Sequence, residues 1–261
     1  MNEVIVGTTR VRYRTEGAGP ALVLVHGTGP GSVTWDRITG RFTGQHTVLL
    51  PDLAGSERAE DDGGDLTVEA LAEQLAAVIE DAGAAPADVV GHSLGAAVAA
   101  ALAATRPELV RRLILVAGLS NAEDEYFQGS MAVWQRLSPD PEAFGRYAAL
   151  IGYSRRHLNG IGREAVEEAA GFMRPTTGVL RQIDLVRRLD IRAMLPKIEA
   201  ETLVIGCAQD ACVPVENTRE LHAAIPGSTY TELDSGHVVR AERPDELVGT
   251  IQGFLRPAVT A

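Results

Sequence analysis

Residues 87–97 read Ala-Asp-Val-Val-Gly-His-Ser-Leu-Gly-Ala-Ala, and they constrain the fold more than any other stretch. Val89 and Val90 end a short apolar run, Gly91-His92-Ser93-Leu94-Gly95 places a serine between two glycines, and a run of alanines follows. This is the pattern of a sharp strand-to-helix turn that holds its serine in a strained conformation and pushes the hydroxyl out at the top of a sheet. Side chains two positions to either side would collide with the turn, which is why Gly91 and Gly95 fit there. The amides that open the helix then face the place where an oxyanion would form. Alone, the pattern also suits a tight turn whose serine only caps the helix. The rest of the chain has to supply partners for Ser93.

The chain's 261 residues accommodate one large α/β domain or two small ones. A net charge of −11 argues against nucleic acid and anionic membranes as partners. The paired arginines, such as Arg111-Arg112 and Arg187-Arg188, read as solvated helix faces. The first residues carry no secretory pattern, and the most apolar stretch, Val89 to Ala104, is too short and too polar to span a bilayer. A cytoplasmic location is therefore expected. Two cysteines, Cys207 and Cys212, do not make a disulfide framework, and no further ligands lie nearby for a zinc site. No metal and no cofactor are expected.

Apolar runs of strand length recur along the chain: Val4–Val6, Val11–Arg14, Ala21–Val25, Thr47–Leu50, the run ending at Val90, Leu113–Ala117, Thr202–Gly206 and Thr229–Leu233. Helical stretches alternate with them: Trp35–Thr43, a helix opened by Thr67 and stopped by Gly83, the alanine run to about Thr105, Val215–Ala224 and Pro244–Phe254. This rhythm predicts an α/β fold with right-handed crossovers and a mostly parallel sheet. It breaks at Gly118. From about Leu119 to Pro196 there is no buried strand, only amphipathic stretches near Met131–Leu137, Pro141–Ile151, Arg163–Met173 and Val179–Leu189, which hold a large share of the aromatic residues.

A serine nucleophile needs a base, an orienting acid and oxyanion donors. Asp210 sits four residues beyond Gly206, and His237 follows Asp234-Ser235-Gly236 just after the last strand. Each candidate lies at the carboxyl end of a strand, where open α/β sheets place their sites. Asp234 and Asp124 compete with Asp210 for the acid; Asp234 stands so near His237 that it reads as a turn residue.

Over essentially its whole length the chain resembles the α/β-hydrolase superfamily. The resemblance rests on His26-Gly27-Thr28-Gly29-Pro30-Gly31, Pro51-Asp52-Leu53-Ala54-Gly55, Gly91-His92-Ser93-Leu94-Gly95, the loop Gly206–Pro214 around Asp210, and Asp234-Ser235-Gly236-His237, all in the family's order. It implies a mostly parallel eight-stranded sheet flanked by helices, with residues 1–118 and 197–261 forming the core and 119–196 a helical cap. It implies Ser93 as nucleophile, His237 as base, Asp210 as orienting acid, and the backbone amides of Thr28 and Leu94 as oxyanion hole. His26, Gly27, Trp134, Tyr147 and Val238 are candidates for the substrate pocket.

The implied activity is hydrolysis of an ester, lactone or thioester of a small-molecule carbonyl substrate through an acyl-enzyme. The His-Gly-x-Gly-Pro-Gly loop is similar to that of hydrolases that cleave carbon–carbon bonds in ring-fission products. Those usually carry a Trp just after the catalytic His, where this chain has Val238-Val239-Arg240-Ala241. A cyclase or lyase, or a ligand-binding protein on the same scaffold, are the remaining alternatives. Oligomeric state leaves no trace in the sequence.

Overall fold

The computed structural model describes residues 1–256. Eight strands form one sheet: β1 (Asn2–Val6), β2 (Thr9–Gly17), β3 (Ala21–Val25), β4 (Thr47–Asp52), β5 (Ala87–His92), β6 (Val110–Val116), β7 (Glu201–Cys207) and β8 (Thr229–Leu233). Their order is β1-β2-β4-β3-β5-β6-β7-β8. β2 runs antiparallel to both its neighbours, and the pairs from β4 through β3, β5, β6 and β7 to β8 are parallel. This is the mostly parallel eight-stranded α/β sheet expected from the sequence.

The central strands read as unbroken apolar runs because both faces of the sheet are covered. Their side chains alternate between two cores, as a period of two requires. Leu22, Leu24, Ile114, Val116, Leu203 and Ile205 pack on one face with Trp35, Phe42 and Ile251. Val23, Val25, Leu113, Leu115 and Val204 pack on the other with the apolar faces of α2 (Val68–Asp81) and α3 (Leu94–Thr105).

Two sequence-based boundaries shift. The helix expected over Trp35–Thr43 is a 3-10 turn, Ser32–Trp35, followed by the four-residue α1 (Asp36–Thr39). Beyond Gly40 the chain continues in turns, with Arg41 N–H donating to Ile38 O and Phe42 N–H to Thr39 O. Between β6 and β7 lie five α-helices where four stretches were expected: α4 (Glu125–Arg136), α5 (Pro141–Gly152), α6 (Arg155–Ile161), α7 (Arg163–Phe172) and α8 (Thr177–Arg187). An isolated antiparallel bridge, Asn121 to Asp190, closes the base of this helical segment. α9 (Val215–Ala223), α10 (Val239–Glu242) and α11 (Pro244–Leu255) complete the chain. Among the described residues no helix is long and apolar enough to cross a membrane.

Candidate active site

Ser93 stands between β5 and α3 at φ 57° and ψ −122°, in the left-handed region that L-residues rarely occupy. The turn is so tight that a Cβ on Gly91 would lie 2.2 Å from Gly95 O, and one on Gly95 2.4 Å from His26 O. The hydroxyl makes no capping hydrogen bond to α3. The reading of Ser93 as only a helix cap thus has no geometric basis. Ser93 N–H is instead anchored to Val116 O at 2.9 Å, which ties the turn to the end of β6.

The loops after β7 and β8 bring Asp210 and His237 together. His237 Nδ1 donates to Asp210 Oδ2 at 2.7 Å. The other carboxylate oxygen, Oδ1, accepts from Cys212 N–H and Val213 N–H, each at 2.8 Å, so the acid is held on both sides. Its side chain is 1% exposed. Burial of the imidazole works against its charged form, but the Asp210 carboxylate and, after it, Cys212 together outweigh that and raise His237 to about 10. The competing acids are engaged elsewhere. Asp234 pairs with Arg156 at 2.6 Å, and Asp124 caps α4 by accepting from Phe127 N–H at 2.7 Å.

His92 lies against this pair, its ring centroid 4.8 Å from that of His237. Its Nε2 is 2.9 Å from His237 O, and its Nδ1 is 3.2 Å from Arg240 Nη1. A carbonyl only accepts and a guanidinium only donates, so Nε2 carries the proton and Nδ1 accepts. Burial, together with the nearby Arg240 and His237, pushes His92 well below the ordinary histidine value and keeps it neutral.

The first loop is wired through buried polar groups. His26 Nδ1–H donates to Gly27 O at 2.8 Å, and its Nε2 accepts from Leu53 N–H at 3.1 Å. Asp52 Oδ1 accepts from Ser32 N–H at 2.7 Å. From α8, Gln182 Oε1 accepts from Gly29 N–H at 2.8 Å. The amides of Thr28 and Leu94 make no hydrogen bond among the described residues. Gly27 is held so near Ser93 that a Cβ there would lie 2.9 Å from the serine Cβ.

A cavity of about 70 Å³ opens onto Ser93 and His237. That is room for on the order of five water-sized spheres, hence for a small acyl group. Thr28, Trp134, Met173, Val238 and Arg240 are among its lining residues. Of the expected pocket residues, Gly27, Trp134 and Val238 line this space. His26 does not; it ties two loops together behind the wall. Tyr147 does not either, and its hydroxyl meets Ser130 Oγ at 3.1 Å within the helical segment. Cys207 and Cys212 are both free and buried.

A model of the alpha/beta hydrolase family matches residues 22–250. The chain belongs to that family. It is 37% identical over 260 residues to the pyrrolizixenacetamide deacetylase of Xenorhabdus hominickii, covering 98% of each chain. The enol-lactonase of Burkholderia xenovorans LB400 superposes with a TM-score of 0.86 at 23% identity, covering 97% of this chain and 99% of that one. A thermophilic esterase from Thermogutta terrifontis superposes with a TM-score of 0.84 at 23% identity, covering 98% of both chains. The protein is an α/β-hydrolase enzyme, and its named relatives are hydrolases.

Within this family's frame, several residues at the site left no mark in the sequence pattern. Gln182 and Glu242 are single polar residues on helices. Glu242 accepts from Ser154 N–H at 2.7 Å and from Ser154 Oγ at 2.6 Å, fastening the start of α6 to α10. Arg240 was visible only as part of the Val-Val-Arg-Ala segment that replaces the Trp after His237.

Proposed function

We propose that the protein is a serine hydrolase that cleaves a carboxylic ester, lactone or thioester of a small substrate through an acyl-enzyme. The observation that carries this reading is the strained Ser93 turn beside the buried Asp210–His237 pair, 2.7 Å apart. In this mechanism the Ser93 hydroxyl gives its proton to His237 Nε2 and attacks the carbonyl carbon. The developing oxyanion is held by Thr28 and Leu94 N–H, two donors without another partner among the described residues. The imidazolium, steadied by Asp210, returns the proton to the leaving group, and the acyl-Ser93 ester forms. Water, activated by His237, then releases the acid. Residues 119–196 act as the cap over this site, with Gly27, Trp134 and Val238 against the substrate.

The deacetylase among the relatives favours a second reading with the same nucleophile, in which the scissile bond is an acetamide. A cavity sized for a short acyl group suits both readings. Nothing at the site favours carbon–carbon cleavage, a lyase or a pure binding role.

The test is a fluorophosphonate probe read by peptide mass spectrometry, with turnover measured on a panel of short-chain esters, lactones, thioesters and acetamides. The expected result is a label on Ser93 and loss of turnover in Ser93→Ala by about four orders of magnitude or more. Unchanged turnover in Ser93→Ala would refute the reading, and the panel decides between ester and amide.

A further inference from the structure

Arg240 stands three residues beyond His237, on α10, and lines the cavity that holds Ser93. It is the sole Lys or Arg among the lining residues, and no Asp or Glu joins it there. Elsewhere the arginines fall into two groups. Most have a carboxylate partner. Those without one among the described residues are exposed, apart from Arg187 and Arg240. Arg187 donates to Gln135 Oε1 at 2.6 Å. Arg240 has only the contact from Nη1 to the neutral His92 ring at 3.2 Å, and its Nε and Nη2 meet no protein acceptor among the described residues. Burial pushes this guanidinium down to about 10, which still leaves it charged at neutral pH.

A guanidinium facing a mostly apolar cavity with its fork open is costly unless an anion completes it. The same planar fork matches a carboxylate with two parallel N–H···O bonds. His92 holds one end of the fork in place. Its own tautomer leaves Nδ1 as an acceptor, so the ring turns the guanidinium without neutralising it.

We infer that Arg240 is a substrate-binding residue that selects carbonyl substrates bearing a carboxylate, so that the substrate class is a short acyl compound with a free acid group. This assignment rests on the hydrolase reading above. The carboxylate sits on the Arg240 fork, and the scissile carbonyl lies at Ser93 within the same small cavity.

Two matched pairs of substrates test it. In one the charge is on the acyl side: the mono-4-nitrophenyl ester of glutaric acid against 4-nitrophenyl pentanoate. In the other it is on the alcohol side: 4-acetoxybenzoate against its methyl ester. The full chain is expected to favour the charged member of one pair in kcat/KM by about 10- to 100-fold, the worth of a charge-assisted hydrogen-bonded pair. Arg240→Gln erases that ratio and Arg240→Lys keeps part of it. Binding is read without turnover by calorimetry on Ser93→Ala. Monomethyl glutarate should bind more tightly than dimethyl glutarate, and the difference should vanish when Arg240→Gln is added.

No charge preference in either pair for the unaltered chain overturns the inference, as does a preference that survives Arg240→Gln. Labelling of Ser93 without charge preference removes the anion site and leaves the hydrolase. Carboxylate binding at Arg240 without labelling of Ser93 does the reverse.

Discussion

At the scale of single residues, the Asp210 carboxylate is the main group that raises the proposed base, His237. His237 serves as a proton acceptor only when neutral, and Asp210 stabilises its charged form. Activity is therefore expected to fall as pH drops through the raised His237 value. A kcat/KM profile on an activated ester should show its acid limb well above the ordinary histidine range, toward about 10. Asp210→Asn removes the charge that raises His237. Its limb should shift to lower pH while the plateau falls by about four orders of magnitude, as for a triad acid elsewhere. A limb that stays in place would show that Asp210 does not govern His237. Ala117, at φ 49°, is the other non-glycine residue with positive φ among the described residues and lies just after β6. Since a Cβ is disfavoured there, Ala117→Gly should stabilise the fold by up to about 1 kcal/mol in urea unfolding.

At the scale of elements, α3 is the most demanding piece. Every residue from Leu94 to Ala103 is buried, between α2 on one side and the sheet on the other. Alanine at seven of its twelve positions, with Gly95, lets the helix backbone approach both layers, and no amphipathic stripe marks such a helix in sequence. Ala100→Leu should cost about 1–3 kcal/mol through overpacking, seen as a lower urea midpoint with an unchanged slope. The central strands were legible because burial on both faces writes them as apolar runs. α6 was not, because it buries none of its own residues and so carries no stripe. The helix expected at Trp35–Thr43 was overextended for the opposite reason. Trp35, Ile38 and Phe42 are all buried, but they are supplied by a 3-10 turn, the short α1 and the turn beyond it rather than by one continuous helix.

At the scale of the whole molecule, buried polar contacts fasten the helical segment to the loops around the sheet. Gln182 and Arg181 on α8 hold the loops near Gly29 and Asp61, the latter by an ion pair at 2.6 Å. Glu242 holds Ser154, and Gly152 O accepts from Val238 N–H at 2.9 Å beside His237. Glu242→Leu should leave the Ser154 amide and hydroxyl without their acceptor. The expected cost is about 1–3 kcal/mol, with faster hydrogen exchange over α6 as its local sign. These fastenings were not legible because a lone Gln or Glu on a helix has no spacing that announces a partner 88 or 153 residues away. The candidate triad was legible because Ser93, Asp210 and His237 each follow a strand that the sequence itself displays.

The strained backbone at Ser93 puts function and durability at odds in one residue. Ser93→Gly would relieve the turn and raise the unfolding free energy by about 1 kcal/mol, while removing the hydroxyl on which the proposed chemistry depends. A library of variants sorted for heat resistance alone would be expected to discard this serine early. Any campaign to toughen the enzyme therefore has to screen for turnover in the same round.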